Sequence, residues 1–282
     1  MEFYVRKVSG KKELFDIEKF RTSLKRAGAD ERLIERMIFE IQQLTPLRST
    51  KEIYGYALSR LQQEHPAAAA RYNIKRALLD LGPAGFPFEQ FIAELFRMQG
   101  YTAITDQIEQ GFCVEHELDV ILTRDSILSM VECKFHNTQS LKTDVKVALY
   151  CKARFDDMKK NWELEASHRR RFHEIWIVTN TKFTSEAIRY ATCTGIELLG
   201  WAYPAKENLP MLIDRYALYP ITTMPNLSRA QKRLFIKEGF VLCRDAHKYI
   251  HIMHKYGLNN AEVDSFLRNA HELCATKNHT HR

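Results

Sequence analysis

The chain has 282 residues, of which 45% are hydrophobic and 27% charged, so it is long enough for two domains with ordinary cores. No stretch approaches the roughly 20 apolar residues of a membrane span, and the first residues lack the apolar core of a signal peptide, so we expect a cytoplasmic protein with no membrane partner. The net charge of +7 favours an anionic partner, although charge alone does not single out nucleic acid.

The cysteines are scattered through the chain without a CxxC pair or another zinc-binding spacing. We expect reduced thiols and no structural zinc. Several cysteines lie in apolar surroundings, which predicts packing residues: Cys113, Cys133, Cys193 and Cys243.

The first 82 residues begin with a predicted β-hairpin that turns around Gly10 and continue as helices. Asp16 is a suitable N-cap for a helix over Ile17–Ala27, which ends near Gly28. Further helices are predicted over residues 33–41, over 51–63 with Ser49 or Thr50 as the cap, and over 67–81. Residues 81–87, rich in Gly and Pro, mark a domain boundary.

The middle of the chain alternates helical and strand patterns. An amphipathic helix over residues 88–98 is followed by strands at about 101–104, 117–122 and 128–135. A long polar helix over roughly 141–162 then leads to a strand at 174–179, a helix capped by Thr184 and ended by Gly195, and a strand at 196–201. This order of a helix, a β-meander and a βαβ unit predicts an α/β domain with a mixed sheet.

The remainder, from about residue 204, is predicted to be helical in pieces, over 228–238, 245–256 and 260–274. His247, His251 and His254 follow the i, i+4, i+7 spacing of one predicted helix. Without a fourth ligand at a suitable spacing, we interpret them as a partly buried polar stripe rather than a metal site. The basic stretch 228–239 could pack on DNA or on a second subunit, and the sequence leaves both open.

The richest chemistry lies in the apolar run 128–135, which contains Glu132 and Lys134. In an extended strand these two side chains share one face, while their apolar neighbours occupy the other. Asp119 alternates in the same way with apolar residues 118, 120 and 122, so strand pairing can bring its carboxylate close to Glu132. Two carboxylates beside a lysine suit metal-dependent hydrolysis of a phosphodiester.

Four short pieces occur in a fixed order across the central domain, and a strand, a helix and a strand over residues 177–201 follow them. The pieces are Phe88-Glu89, Gly100-Tyr101, Leu118-Asp119-Val120 and Glu132-Cys133-Lys134. Together they resemble the PD-(D/E)xK nuclease superfamily, and within it the Mrr-like restriction endonucleases and the archaeal-type junction resolvases. A bare D…ExK pattern is weak, but the ordered set is fairly specific.

This resemblance implies a role for each catalytic residue. Asp119 and Glu132 would ligate Mg²⁺ or Mn²⁺ directly, and Glu89 would act through the water shell of the metal. Lys134 would orient the attacking water or stabilise charge on the phosphate. Glu115 or Glu117 could supplement or replace a ligand, because both lie near Asp119 in the sequence. The competing interpretation is a solvated pair of Glu132 and Lys134 on a sheet edge.

Polar and basic residues follow the candidate lysine. His136 and Gln139 could contact phosphate or belong to the loop surface, and we favour the surface for His136. A cluster of basic side chains could neutralise phosphates along a duplex, although a solvated helix face explains the scattered lysines about as well. These residues are Lys142, Lys146, Lys152, Arg154, Lys159 and Lys160, with the triplet Arg169, Arg170 and Arg171 as the best candidates.

A second pattern occupies residues 5–20, 49–53 and 70–77, and it resembles the ATP-cone, the nucleotide-sensing domain of ribonucleotide reductases and of their nucleotide-responsive repressor. The resemblance implies that ATP or dATP is bound as a regulatory ligand by Lys7, Val8, Glu13, Asp16, Lys19 and Thr50. Cationic lysines and a helix N-terminus at Thr50 suit a triphosphate. Leu79 stands where some relatives carry a basic residue, and Lys75 or Arg76 could substitute. The alternative is a small helical domain with ordinary surface lysines.

The predicted fold is α/β, or α+β over the whole chain. It comprises a mostly helical ATP-cone with a short β-hairpin over residues 1–82, a restriction-endonuclease-like mixed β-sheet flanked by helices over 83–204, and a helical C-terminal extension over 205–282. The predicted function is a metal-dependent DNA endonuclease of restriction or DNA-processing type, regulated by adenine nucleotide. A nucleotide-sensing DNA-binding regulator with an inactive nuclease fold is the alternative. An RNA-directed nuclease and a homo-oligomeric assembly are left open.

Overall fold

The structure is a computed structural model, which describes residues 3–6, 10, 12–43, 49–164 and 172–275. None of the helices in these ranges is both long and apolar enough to cross a membrane. The fold is mixed α/β, with a central five-stranded sheet flanked by helices and followed by C-terminal helices, as the sequence predicts. All six cysteines are unpaired thiols. Cys113 and Cys193 are exposed, so the prediction that they are packing residues is wrong.

The N-terminal segment pairs strands β1 (Tyr4–Arg6) and β2 (Lys12–Leu14) antiparallel. Helices α1 (Ile17–Ala27), α2 (Glu31–Gln43) and α3 (Thr50–Glu64) follow and enclose an apolar core. The Asp16 carboxylate accepts a hydrogen bond from the Lys19 backbone N–H at 2.8 Å, so it caps α1. Gly28 ends α1 in the left-handed conformation that glycine adopts without strain.

The predicted helix over residues 67–81 is divided into α4 (Pro66–Tyr72) and α5 (Ile74–Leu79). Asn73 separates the two helices, and its side-chain carbonyl accepts a hydrogen bond from the Tyr54 hydroxyl at 2.5 Å. Asparagine is disfavoured inside helices because its side-chain amide competes with the backbone for local hydrogen bonds. The prediction of a single continuous helix over residues 67–81 is therefore wrong.

The central domain begins with α6 (Phe86–Arg97) and an antiparallel meander. The meander consists of β3 (Thr102–Gln110), β4 (Glu115–Arg124) and β5 (Ile127–Lys134). β3 is much longer than the predicted strand at residues 101–104, because its polar residues pair with β4 as far as Gln110. Asp125 and Ser126 turn the chain between β4 and β5 with φ of 50° and 68°.

The second half of the sheet is parallel. After β6 (Lys142–Thr143) and α7 (Val145–Leu164) come β7 (Phe172–Thr179), β8 (Lys182–Phe183), α8 (Ser185–Thr194) and β9 (Ile196–Leu199). The main sheet has the order β3-β4-β5-β7-β9, with β5, β7 and β9 parallel, and β6 pairs with β8 in a separate ribbon. Helices α7 and α8 cover one face of the sheet.

The other face of the sheet packs against α6 and the C-terminal helices. These are α9 (Leu209–Arg215), α10 (Arg229–Lys237), α11 (Ile250–Lys255) and α12 (Asn260–Cys274), with 3₁₀ turns at Ile221–Thr223 and Cys243–Tyr249. The predicted helix at 245–256 is therefore a 3₁₀ turn followed by α11. His247 lies in the turn while His251 and His254 lie in α11, so the three histidines do not share one helix.

Candidate active site

Strand β5 carries the Glu-x-Lys pattern at its carboxyl end. Val131 and Cys133 are buried against the α6 side of the sheet, whereas Glu132 is partly buried and Lys134 is exposed. Lys134 stands in register with Thr179 of the parallel strand β7. The pleat of β5 therefore carries the two polar side chains away from the apolar ones, and Lys134 reaches solvent at the edge of the sheet.

Asp119 reaches β5 through an irregularity in its own strand. The pairing of β3 with β4 passes from Thr105↔Val120 to Gln107↔Leu118 and leaves out Asp106 and Asp119. Asp106 has a left-handed backbone with φ of 56°, which an ordinary strand does not accommodate. The Asp119 Oδ2 atom accepts a hydrogen bond from the Cys133 backbone N–H at 2.6 Å. Its carboxylate is thus fixed to the residue that follows Glu132.

The prediction that residues 118, 120 and 122 of β4 share one face of the sheet is wrong for Leu118. Val120 and Leu122 pack towards α6, but Leu118 packs with Ile121 on the α7 side. Strict alternation would place Leu118 with Val120, because residues two apart on a regular strand share a face. The hydrogen bond from the Cys133 backbone N–H to the Asp119 side chain replaces a regular backbone contact between β4 and β5. At this point the apolar side chains of β4 change from one face of the sheet to the other.

Burial and mutual repulsion raise the pKa values of the Asp119 and Glu89 carboxyl groups. The pKa of Asp119 is raised to about 6, first because the group is shielded from water and then because of the nearby Glu132 carboxylate. The pKa of Glu89, half-buried in α6, is raised to about 7 by the same shielding and by Asp119 and Glu117. Acidic groups from α6, β4 and β5 therefore act on one another.

Other acidic residues lie beside these carboxylates. Glu117 is exposed, and its charge contributes to the raised pKa of both Glu89 and Asp119. Glu115 pairs with Gln110 at the hairpin end of β4. Asp106, which the sequence reasoning missed, also raises the pKa of Glu89. No sequence signal singled out Asp106, because a polar residue is ordinary on an exposed edge strand.

Arg154 pairs with Glu132 inside the domain. Its Nη1 atom donates to Glu132 Oε2 at 2.6 Å, and the two side chains are only 8% and 15% exposed. The Arg154 Nε atom is buried without a hydrogen-bond partner. The prediction that Arg154 is one of the basic residues facing solvent or DNA is therefore wrong. The missed signal is its place on the same helix as buried Cys151 and Met158, at three and four residues' distance.

The donor set suits a hard divalent cation. Within the described residues, no group of three or more His, Cys, Asp or Glu side chains has metal-binding geometry. Asp119 and Glu132 supply oxygen atoms, and their mutual repulsion would be relieved by a cation between them. Magnesium in proteins is commonly held by one or two carboxylates and keeps several waters, through which Glu89 could act. Oxygen donors of this kind suit a hard divalent cation better than a structural zinc.

A buried network of polar side chains supports the end of β5. The Thr179 hydroxyl donates to the Lys134 carbonyl at 2.8 Å and accepts from the Thr143 hydroxyl at 3.0 Å. His136 Nε2 lies 2.9 Å from the Thr143 hydroxyl, and the His136 backbone exchanges two hydrogen bonds with the Asn180 amide. His136 is therefore a partly exposed loop residue that is fixed by hydrogen bonds. The pKa of His136 is lowered by burial and by the charge of Lys134.

Most of the basic residues near the site have partners within the protein. Lys152 pairs with Asp156 and Lys159 with Glu163, and the Lys160 ammonium lies 3.8 Å from the centre of the Phe112 ring. The triplet Arg169, Arg170 and Arg171 lies outside the described residues. The interpretation as a solvated helix face thus accounts for the lysines of α7.

Some of the residues predicted to bind nucleotide lie close to one another in the N-terminal segment. An isolated bridge joins Arg6 of β1 to Ser49, which caps α3 with its side chain, and Thr50 is the first residue of that helix. Asp16 and Lys19 occupy the first turn of α1, where Asp16 already serves as the cap. Glu13 lies on β2, in register with Val5. Lys7 and Val8 lie outside the described residues.

The two basic residues of α5, Lys75 and Arg76, contact other residues of the protein. The Lys75 ammonium lies 5.3 Å from the centre of the Trp201 ring in the central domain. Arg76 pairs with Asp80 at 3.3 Å. Neither contact supports the expectation that one of them replaces a basic nucleotide ligand at Leu79.

Comparison with known proteins identifies two families along the chain. Residues 84–201 match the family Mrr_cat, described as Restriction endonuclease, and residues 219–274 match the family described as AF1548-like, C-terminal. The match therefore gives residues 84–201 a restriction endonuclease-like domain, which supports a nuclease-type function. The ATP-cone resemblance of the first 82 residues rests on the sequence pattern alone.

Two similar proteins come from whole-chain comparison. An uncharacterized protein of Archaeoglobus fulgidus is 42% identical over 154 residues, which span 55% of this chain and 82% of the relative. The crystal structure of AF1548, a protein of unknown function, is 35% identical with a TM-score of 0.55, and the match covers 68% of this chain and 98% of that one. The chain therefore belongs to the AF1548-like family. Helices α10, α11 and α12 lie within the residues that match the AF1548-like, C-terminal family.

Proposed function

We propose that this protein is a metal-dependent DNA endonuclease, Mrr-like and of restriction or DNA-processing type, that hydrolyses phosphodiester bonds. One observation carries the proposal. The Asp119 carboxylate is hydrogen-bonded to the backbone between Glu132 and Lys134, within a domain that matches restriction endonucleases. A domain that only binds DNA has no need of clustered carboxylates facing an anionic polymer, since they repel phosphate.

Each residue has a defined task in this proposal. Asp119 and Glu132 would hold Mg²⁺ or Mn²⁺, which when bound would supply Lewis-acid activation of the phosphate and of a water. The Cys133 N–H fixes Asp119, and Arg154 fixes Glu132 through its Oε2 atom. Glu89 orients water from the α6 side. Lys134, exposed at the strand end, stabilises negative charge that develops on the phosphate oxygens.

We propose residues 1–82 as an ATP-cone, followed by the nuclease domain over 83–204 and the C-terminal extension over 205–282. ATP or dATP would be held by Lys7, Val8, Glu13, Asp16, Lys19 and Thr50. The bridge from β1 to the start of α3 supports this, because it brings the hairpin next to the free N–H groups of a long helix. Regulation then requires the nucleotide to prefer one arrangement of domains or subunits, since equal affinity for both shifts nothing.

The deciding experiment is a cleavage assay on plasmid, linear and single-stranded DNA and on RNA, with Mg²⁺ or Mn²⁺ and with or without ATP and dATP. Wild type should cut DNA only with metal, and Lys134→Ala should lose cutting while keeping its fold. Lys206→Ala, an exposed lysine of the loop before α9, serves as the matched control and should cut normally. Metal-dependent cutting that survives in Lys134→Ala would remove Lys134 from the mechanism.

One observation favours the rival function, a DNA-binding regulator that no longer cuts. Arg154 already supplies Glu132 with a counter-charge inside the protein, which lessens its need for a metal. The regulator would bind DNA without cutting it under any metal. For the endonuclease, Glu132→Ala should abolish cutting and preserve DNA binding. Loss of both would point to misfolding.

A further inference from the structure

A pair of lysines lies side by side on the small ribbon next to the candidate site. Lys142 of β6 and Lys182 of β8 are in register, and both are exposed. Residues in register on neighbouring strands share a face, where like charges destabilise the pairing. Within the described residues no carboxylate forms an ion pair with either lysine. The acid nearest to Lys142 in the sequence, Asp144, accepts a hydrogen bond from the Lys146 backbone N–H at 3.0 Å, and the acid nearest to Lys182, Glu186, pairs with Arg189 at 3.7 Å.

Lys75 of α5 joins this pair from the N-terminal segment. Its ammonium lies 5.3 Å from the centre of the Trp201 ring, and the Trp201 backbone N–H donates to the carbonyl of Thr181 at 2.7 Å. Thr181 directly precedes Lys182. The pKa of Lys75 is lowered by partial burial and by the charge of Lys182, which agrees with their closeness. Three cations therefore share one surface.

This surface is joined directly to the candidate catalytic lysine. Thr143, which follows Lys142, donates from its hydroxyl to Thr179, and the Thr179 hydroxyl donates to the Lys134 carbonyl. β8 follows β7 after only two residues, so Lys182 stands just beyond the end of the strand that pairs with β5. The cations thus lie at the carboxyl edge of the parallel strands, where Lys134 also emerges.

We infer that Lys75, Lys142 and Lys182 bind the phosphodiester backbone of the nucleic acid on one side of the phosphate to be cut. The inference rests on the proposed nuclease function and adds the path of the substrate. Like charges held together without acidic partners are stabilised when a polyanion lies across them. Three cations on a helix and two strands suit successive phosphates of a strand better than one compact phosphate group. Through Lys75 the N-terminal segment would also contact the substrate.

The test measures binding of a short fluorescent duplex by anisotropy over a series of salt concentrations, with EDTA present so that no cutting occurs. The variant combines Lys75→Met, Lys142→Gln and Lys182→Gln. The slope of log binding constant against log salt should become shallower by about 0.9 for each phosphate that the variant no longer neutralises, and by about 2.7 for three phosphates. Met at position 75 keeps the packing on Trp201 while removing the charge.

Two controls separate charge from folding. The combination Lys25→Gln, Lys206→Gln and Lys248→Gln removes three exposed lysines elsewhere and should leave the slope unchanged. The combination Lys75→Arg, Lys142→Arg and Lys182→Arg should preserve the wild-type slope, because the charge is kept. A thermal unfolding scan of each variant establishes that the comparison is made between folded proteins.

The outcomes distinguish this inference from the proposed function. Wild-type cutting together with an unchanged slope in the cluster variant would overturn the inference and leave the endonuclease standing. A loss of ATP affinity, with normal DNA binding, would assign the lysines to a nucleotide instead. A wild type that neither binds nor cuts any nucleic acid would overturn both.

Discussion

At the scale of single residues, burial of the Arg154 charge carries a free-energy penalty. The residue is 7% exposed, and one buried nitrogen of its guanidinium has no partner. Taking a cation and Glu132 out of water costs several kcal/mol, which their attraction and hydrogen bond roughly offset. Such a pair contributes little net stability while it is intact. Its value lies in holding the Glu132 carboxylate in one orientation beside Asp119.

The first prediction concerns removal of that charge. Arg154→Met should lower the free energy of unfolding by about 3 kcal/mol, because it leaves Glu132 partly buried without its counter-charge. Urea unfolding of the metal-free protein measures the loss. Adding Mg²⁺ should restore more stability to the variant than to wild type, since the cation replaces the missing positive charge.

The matched control is Lys152→Met, which breaks the exposed i,i+4 pair with Asp156 on the same helix. Its cost should be below about 0.5 kcal/mol, as for other surface pairs. Equal losses in both variants would mean that Arg154 behaves as a surface residue, contrary to its place in the structure.

At the scale of elements, α7 holds the tip of the β3–β4 hairpin. The Asp157 carboxylate accepts hydrogen bonds from the Cys113 backbone N–H at 2.9 Å and from His116, whose Nε2 atom is also 2.9 Å away. The Asp157 backbone carbonyl accepts from the Phe112 N–H at 3.1 Å. The strands that carry Asp106 and Asp119 are thus tied to the helix that carries Arg154.

The second prediction is a pH dependence of this attachment. The pKa of Asp157 is lowered from 3.8 to about 2, mainly by the hydrogen bond with His116 and also by the Cys113 N–H. A carboxyl with a lowered pKa stabilises the fold above its usual pKa, and this contribution is lost as the pH falls through the lower value. Asp157→Asn keeps the shape and removes the charge. Its deficit in unfolding free energy should therefore be full above about pH 4 and shrink towards pH 2.

Urea unfolding at a series of pH values measures this difference. The neighbouring Asp156→Asn is the control, because its exposed pair with Lys152 should give only a small, salt-sensitive deficit. A deficit for Asp157→Asn that stays constant between pH 4 and pH 2 would contradict the assignment of the lowered pKa.

At the scale of the whole molecule, helices α4 and α5 and the residues that follow them pack against the C-terminal helices. Ile74, Leu78 and Leu81 share a core with α6 and with C-terminal residues such as Phe240. Arg71 donates to the Tyr219 hydroxyl and to the Leu273 carbonyl, each at 3.2 Å. Helices α4 and α5 therefore connect the N-terminal core to the AF1548-like C-terminal region. The nucleotide regulation that we propose would have to act through this contact.

The third prediction addresses that connection. The buried Thr222 hydroxyl donates to the Ala77 carbonyl at 2.7 Å across the contact. Thr222→Val should cost about 1–3 kcal/mol by leaving the carbonyl without this donor, and should speed hydrogen exchange of the α5 amides. Thr223→Val is the control, since Thr223 bonds to Pro220 within its own turn and should leave α5 exchange unchanged. Equal exchange in the two variants would argue against a role for this bond in docking.

The sequence by itself determined the local structure and the candidate chemistry. The ends of α1, α8 and α12 follow from caps and glycines only a few residues away, and the Glu132 to Lys134 pattern is readable because alternation is a local property of a strand. The resemblance of the central domain to restriction endonucleases was also present in the order of its motifs, and the family match agrees with it.

Only the tertiary structure decided which distant groups meet. The bond from Asp119 to the Cys133 backbone, the pairing of Arg154 with Glu132 and the closeness of Lys75 to Lys182 join residues that are far apart in the chain or in different layers. Their physical basis is burial and strand register, which arise from the packing of the whole molecule. Periodicity can show that a residue faces inwards, but the partner it finds there depends on the element packed against it.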